Sequence, residues 1–298
     1  MSNVEDKEIM ESYTGRMQSA SSIITFKRCP REYWYNYVLK LKTPPSIHLV
    51  KGSIVHKILE LFFKKYEENF MERSQRLFYQ IWIEFKDDLE ELKMTDEELT
   101  REKNDCMNMV HLYLQTLELK MSYLLVAEKV QNKRQAFYLM RPKFKEKYYK
   151  DIDLNIHGYV DRIHTDFDGT TTIGDYKTSK KYGIGIKDEY EIQSAIYALL
   201  YKRCEKKDAD YTSIIFFRYG EEVRTRVTPS QIRFALDTVS TVNKATLSNK
   251  REDYPKCEGT FCKWCARSKL CSGLKALEDK ETEAKAIAMI KKMKEEKK

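Results

Sequence analysis

Two short runs of this sequence place acid and amine groups at spacings suited to phosphate chemistry: Gly158-Tyr159-Val160-Asp161-Arg162 and Gly174-Asp175-Tyr176-Lys177-Thr178. Both alternate as strands do, and Asp168-Gly169 between them is a hairpin signal. Residues two apart on a strand share a face, so Asp175 and Lys177 point one way and Tyr176 the other. A hairpin that brings Asp161 alongside gathers two carboxylates and an ammonium. Paired carboxylates repel unless a cation lies between them. Mg²⁺ and Mn²⁺ favour such oxygen ligands, polarise a phosphoryl oxygen and activate water. A lysine beside them stabilises the extra charge of a phosphoryl transition state. Taken alone, an Asp-x-Lys pair on a strand is more often a solvated face or an ion pair.

Three further sets bear on that chemistry. His56, in Gly52-Ser53-Ile54-Val55-His56, offers an imidazole nitrogen at a helix, although a lone histidine is more often structural. Gln193 and Tyr197 are four apart and share a helix face. Cys262, Cys265 and Cys271 form Cys-x2-Cys-x5-Cys, with Cys29 or Cys257 as a fourth thiolate. Four thiolates hold either an iron–sulfur cluster or a structural zinc, and ligand type does not separate the two. Cys106 and Cys204 fall in helical patterns and read as plain buried thiols.

Positioning these groups requires a sheet. Ser21 to Leu41 reads as helical, broken at Cys29-Pro30, and a buried helix follows Gly52. Residues 64–126 read as two or three amphipathic helices, with Thr95 and Glu98 as a capping box. Strand patterns follow over Phe137–Tyr149, Ile152–Thr165 and Thr170–Thr178, then a helix from Asp188 to Lys202. A second strand pair (Tyr211–Tyr219, Glu222–Thr228) and a helix over Pro229–Leu247 complete the pattern. This order predicts an α/β fold, a mixed central sheet flanked by helices, with a helical insert at about 64–126. Residues 1–19 read as a polar lead-in, 20–273 as the main domain with a cysteine segment at 257–271, and 274–298 as a charged helical tail. Lys180, Lys181 and Tyr182, just past the acid–lysine run, could meet a phosphate backbone and a base, or be a solvated loop.

Among the 298 residues, 42% are hydrophobic and 34% charged, with a net charge of +8 and a pI near 8.9. The basic balance favours polyanionic partners only weakly. No apolar run approaches the roughly 18 residues that span a bilayer. Met1 to Arg16 carries no signal-peptide core. A cytoplasmic protein without membrane partners is expected, and in a reducing compartment clustered cysteines point to metal rather than disulfides.

The combined pattern resembles the RecB-like branch of the PD-(D/E)XK nucleases that carries an iron–sulfur cluster, as in AddB and the CRISPR-associated Cas-four proteins. The family order of Gly-x3-His, Gly-x2-Asp, Asp/Glu-x-Lys and Gln-x3-Tyr is met by Gly52/His56, Gly158/Asp161, Asp175/Lys177 and Gln193/Tyr197. Cys29-Pro30-Arg31 with Tyr33 and Tyr35 resembles its N-terminal signature. The resemblance implies a restriction-endonuclease-like core and a metal-dependent DNA exonuclease acting on single-stranded ends, from the 5′ end in the CRISPR-associated relatives. It implies Mg²⁺ or Mn²⁺ held by His56, Asp161, Asp175 and the Tyr176 carbonyl, with Lys177 catalytic and Gln193 and Tyr197 contacting DNA or supporting the site. It implies a [4Fe–4S] cluster on Cys29, Cys262, Cys265 and Cys271. CRISPR adaptation and DNA repair or recombination both fit, with an integrase or helicase as partner. A non-catalytic DNA-end-binding module is the alternative, and a zinc-stabilised protein without nucleic acid a third reading.

Overall fold

The computed structural model describes residues 15–43, 45–166, 168–179, 188–263 and 265–273. The lead-in up to residue 14, the Lys180-Lys181-Tyr182 run and the 274–298 tail lie outside the described residues. The chain divides into two compact units, Met1–Ile24 with Pro45–Ser248, and Thr25–Pro44 with Asn249–Lys298.

Helix α1 (Ala20–Arg28) begins in the first unit and ends in the second, where α2 (Pro30–Tyr33) continues as a π-helical turn, Trp34–Val38. The first unit resumes with α3 (Ile47–Phe62). This helix starts ahead of Gly52, where the sequence pattern placed it, because Ser46 caps it and accepts from the Leu49 N–H. Helices α4 (Phe70–Glu84), α5 (Lys86–Glu91), α6 (Asp96–Val126) and α7 (Lys133–Met140) follow. The Thr95/Glu98 capping box opens α6. Residues 137–140, expected as strand, end α7, because Asn132 caps a helix there by accepting from the Gln135 N–H.

Five strands follow: β1 (Phe144–Asp151), β2 (Ile156–Thr165), β3 (Thr171–Lys177), then β4 (Tyr211–Phe216) and β5 (Glu221–Arg226). Between β3 and β4 runs α8 (Asp188–Glu205), and after β5 comes α9 (Pro229–Ala245). The sheet order is β1-β2-β3-β4-β5, antiparallel except for the parallel β3/β4 pair. Parallel neighbours need a crossover, and α8 supplies it. The fold is the expected mixed sheet flanked by helices.

Each side of the sheet has its own apolar layer. Helix α8 packs against β1 to β4 and buries Tyr190, Ile196 and Leu200, with α9 behind it. On the other side, Ile54, Ile58 and Phe62 of α3 join Phe78, Val110, Leu114 and Phe137 over Tyr176, Ile215 and Phe217. The helices of the 64–126 stretch therefore form part of this core. No helix among the described residues is long and apolar enough to cross a membrane.

The second unit is held by polar contacts around stacked aromatics. Arg31 Nε donates to the Tyr254 carbonyl at 2.7 Å, and the Tyr33 and Tyr254 rings stack at 5.9 Å. Arg267 donates to Asn36 Oδ1 and to the Leu41 and Lys42 carbonyls. The cysteine segment contains a short 3₁₀ turn, Thr260–Lys263, and helix α10 (Ser268–Gly273). Cys106 is buried as expected, but Cys204 is exposed, near the end of α8.

Under the sheet, Glu222 faces Arg162 at 3.2 Å and Lys120 at 3.1 Å. Burial would raise this carboxyl, but those two cations outweigh it and hold it down at about 2. A lowered folded-state pKa stabilises above the unfolded value and loses that contribution as pH falls. We expect Glu222→Gln to cost about 3 kcal/mol near neutrality. That gap should close as pH falls from about 4.5 towards about 2, read by denaturant melts of both proteins across that range.

Candidate active site

The site is assembled where β2 and β3 run beneath α3. Burial alternates along the first half of β2 and becomes continuous from Val160, so Asp161 is buried beside its buried neighbours. Opposite it on β1, Glu146 sits between the register pairs Lys145↔Arg162 and Lys147↔Val160 with a left-handed φ of 53°. Non-glycine residues rarely adopt that conformation, and such outliers gather at functional sites.

His56 comes down from α3 to meet these acids. Its Nδ1 lies 3.1 Å from Glu146 Oε1 and 3.6 Å from Asp161 Oδ1, and its Nε2 lies 3.4 Å from the Tyr176 carbonyl. Asp161 Oδ2 accepts the Tyr176 N–H at 2.8 Å. Ligand atoms of His56, Glu146 and Asp161 all lie within 4.8 Å of one another. Glu146 is 41% exposed at its side chain, which leaves this trio open on one side.

A hydrogen-bonded relay orders the other half. Lys177 Nζ ion-pairs with Asp175 Oδ2 at 2.5 Å and donates to Gln193 Oε1 at 2.7 Å. Gln193 Nε2 lies 2.8 Å from Asp175 Oδ1 and 3.0 Å from the Tyr197 hydroxyl. The ring of Tyr197 in turn lies 3.2 Å from where a Cβ on Gly158 would stand. The helical spacing of Gln193 and Tyr197 thus places both on the face of α8 that meets the β2–β3 acids.

Electrostatics follow from this crowding. Burial and the Asp175 charge push the Asp161 carboxyl up, against the pull of His56. Burial would lower His56, but the Glu146 hydrogen bond and the Asp161 charge outweigh it and hold the imidazole up. Asp175 holds the Lys177 ammonium up in the same way, overcoming burial. Asp175 Oδ2 is buried and, apart from the Lys177 ion pair, takes no hydrogen bond. An imidazole, crowded carboxylates and a carboxylate oxygen with spare lone pairs fit a hard divalent cation. Glu146 and His56 border a groove of about 600 Å³, lined also by His48, Ser53, Lys57, Lys177 and Ser179.

Every residue of the expected set in the first unit, His56, Asp161, Asp175, Tyr176, Lys177, Gln193 and Tyr197, is brought to this place. Glu146 is the residue that spacing did not single out. The available signal was one acid between Lys145 and Lys147 on the predicted strand that precedes the one carrying Asp161. The four cysteines lie in the second unit. Burial raises the Cys265 thiol, with Glu32 and Cys29 near enough to add to it, while the Arg267 N–H donates to its sulfur at 3.4 Å. Among the described residues, no three of these sulfurs lie within 4.8 Å of one another.

A mixed sheet that presents acids and a lysine beneath a helix-borne histidine defines a carboxylate–lysine site on a restriction-endonuclease-like core. The chain belongs to the PD-(D/E)XK nuclease superfamily, whose family profile matches residues 18–272. It is also similar to a solved structure of a candidate exonuclease from Eubacterium rectale, at 17% identity and a TM-score of 0.47, covering 89% of this chain and 92% of that one. No curated protein matches the sequence.

If the trio grips an ion, Glu146→Gln and Asp161→Asn should each weaken Mn²⁺ binding by about tenfold or more. Lys177→Ala should leave it close to the parent value. Calorimetric or electron-spin titration with Mn²⁺ alone reads all three, and unchanged affinity in both acid variants would remove the trio as a metal centre.

Proposed function

We propose that this protein is a divalent-metal-dependent deoxyribonuclease, an exonuclease on single-stranded DNA ends. The observation that carries this reading is the convergence of His56, Glu146, Asp161 and Asp175 with Lys177 at one strand end, on a fold of the nuclease superfamily. The order of motifs, which resembles the RecB-like branch, supports the choice of DNA ends. It also supports service in CRISPR adaptation or DNA repair and recombination, in the cytoplasm beside an integrase or helicase.

In this reading His56, Glu146 and Asp161 hold Mg²⁺ or Mn²⁺, with Asp175 and the Tyr176 carbonyl at the same place. When bound, the ion supplies positive charge at the scissile phosphate. The chain's own groups do the rest. The Lys177 ammonium, kept protonated beside Asp175, stabilises charge that develops on the phosphoryl oxygens. Gln193 fixes Asp175 and Lys177 in one orientation, and Tyr197 braces Gln193. The groove beside α3 receives the strand.

We assign Cys29, Cys262, Cys265 and Cys271 a [4Fe–4S] cluster. All four belong to one compact unit, and Cys265 lies within electrostatic reach of Cys29. Among the described residues these sulfurs are not gathered into one group, so the assignment rests on the Cys-x2-Cys-x5-Cys spacing and the motif order that resembles the cluster-bearing branch.

Anaerobic purification with an iron count and an absorbance spectrum, followed by cleavage of an end-labelled single-stranded oligonucleotide in Mg²⁺ or Mn²⁺, tests both parts. Visible charge-transfer absorbance near four irons per chain is expected, whereas a colourless protein with one zinc would replace the cluster. Lys177→Ala and Asp175→Ala should each lower cleavage by about a hundredfold or more while DNA binding persists. Tight binding by the parent protein with no cleavage in either metal would make it a DNA-end-binding module instead.

A further inference from the structure

Helix α6 has no part in the metal site, yet it places two acids inside the first unit. Lys51 of α3 is 1% exposed at its side chain, and its ammonium meets Glu102 and Asp105 of α6. Asp105 also takes the Arg218 guanidinium in a two-pronged pair, Nη1 to Oδ1 at 2.5 Å and Nη2 to Oδ2 at 2.6 Å. Arg218 Nε then donates to the Thr178 carbonyl at 3.1 Å. Lys51 and Arg218 thus share Asp105, and Arg101 approaches Glu102 from the exposed side at 3.8 Å.

The position of this group gives it a role. Lys51 lies five residues before His56 on the same helix, about 7.5 Å along its axis at 1.5 Å per residue. Thr178 follows Lys177 directly. Helix α3 and the end of β3 are the two walls of the groove, and they come close there: Thr178 Oγ1 lies 3.8 Å from where a Cβ on Gly52 would stand. One wall carries the imidazole and the other the ammonium. A single carboxylate from α6 is bonded, through one cation each, to both.

We infer that Asp105 is a positioning residue for the active site, a bracket that sets the spacing between His56 on α3 and Lys177 at the end of β3. The inference rests on the proposed nuclease reading for its consequences in catalysis, and on the ion group alone for its consequences in geometry. Bidentate guanidinium–carboxylate pairs fix direction as well as distance, which an apolar contact does not. A partly buried ion group such as this one, with Asp105 30% exposed, is weak evidence for stability, so a role in fixing geometry is the more informative reading. Removing the Asp105 charge leaves Glu102 on Lys51 and no acid shared with Arg218, so the ionic link between the two walls is lost.

Three variants separate bracket from mere support. Asp105→Asn removes the charge. Asp105→Glu keeps it on a longer arm. Asp105→Asn with Lys51→Met restores charge balance without restoring the link. Each is compared with the parent protein in four readouts: thermal melting, Mn²⁺ titration, steady-state cleavage of a single-stranded oligonucleotide, and hydrogen exchange of peptides within 47–57 and 170–179. A misplacement near 1 Å predicts a fall in kcat of about a hundredfold for Asp105→Asn, with KM for DNA within about threefold. Mn²⁺ affinity should drop by about tenfold, as for other groups that orient ligands. Exchange should quicken in both wall peptides and stay at the parent level in α8. Asp105→Glu and the charge-balanced pair should regain thermal stability but neither kcat nor Mn²⁺ affinity. Recovery of all readouts in the charge-balanced pair, or parent-like kcat and exchange in Asp105→Asn, would overturn the inference. A parent protein that binds no Mn²⁺ and cuts no DNA would sink the nuclease reading alone. The exchange measurement would then still decide whether the walls are held by Asp105.

Discussion

Like charges packed against one another in a buried place govern this structure. Asp161 and Asp175 meet beneath α3 with the more exposed Glu146 beside them, and burial and the Asp175 charge push the Asp161 carboxyl up. Much of the surrounding chain offsets that cost. His56 and Lys177 stand among the acids as protonated partners, the Tyr176 N–H bonds to Asp161, and Gln193 holds one oxygen of Asp175. These offsets are partial, and the ligand set beside them suits a hard divalent cation.

The same constraint explains why some of the site could be read from the sequence and some could not. Asp175-x-Lys177 and Gly158-x2-Asp161 are local patterns, and strand alternation with a turn between them determines their meeting. Gln193 and Tyr197 follow from helical spacing. Glu146 is different, because its place depends on a left-handed backbone turn opposite Asp161 that no residue type announces. Lys51, Asp105 and Arg218 are further still from legibility. They lie 54 and 113 residues apart in sequence, each alone resembles a solvated charge, and only the packing of three elements reveals the group.

The fold was legible to a similar depth. Element types and order came through from periodicity and caps, including the Thr95 box, the hairpins and the crossover helix. Boundaries suffered where a cap outweighed composition. The aromatic stretch at Phe137 looked like a strand, yet Asn132 starts a helix that carries Phe137 into the core. The role of the 64–126 helices was hidden for another reason. Their apolar faces signalled burial but not its address, and the structure shows them covering one side of the sheet beneath α3.

Gly158 opens the Gly-x2-Asp run, and its merit is what it lacks. Helix α8 lies so close that a methyl group there would stand 3.2 Å from the Tyr197 ring and 3.4 Å from Leu200. The hydrogen atom in that place lets an aromatic ring settle directly on the strand's backbone, and the amide of Gln193 inherits its aim from that seat. A bulkier residue would reach Lys177 third-hand, by lifting the ring, then the amide, then the amine. The invariance one would look for at such a position is the invariance of an empty space.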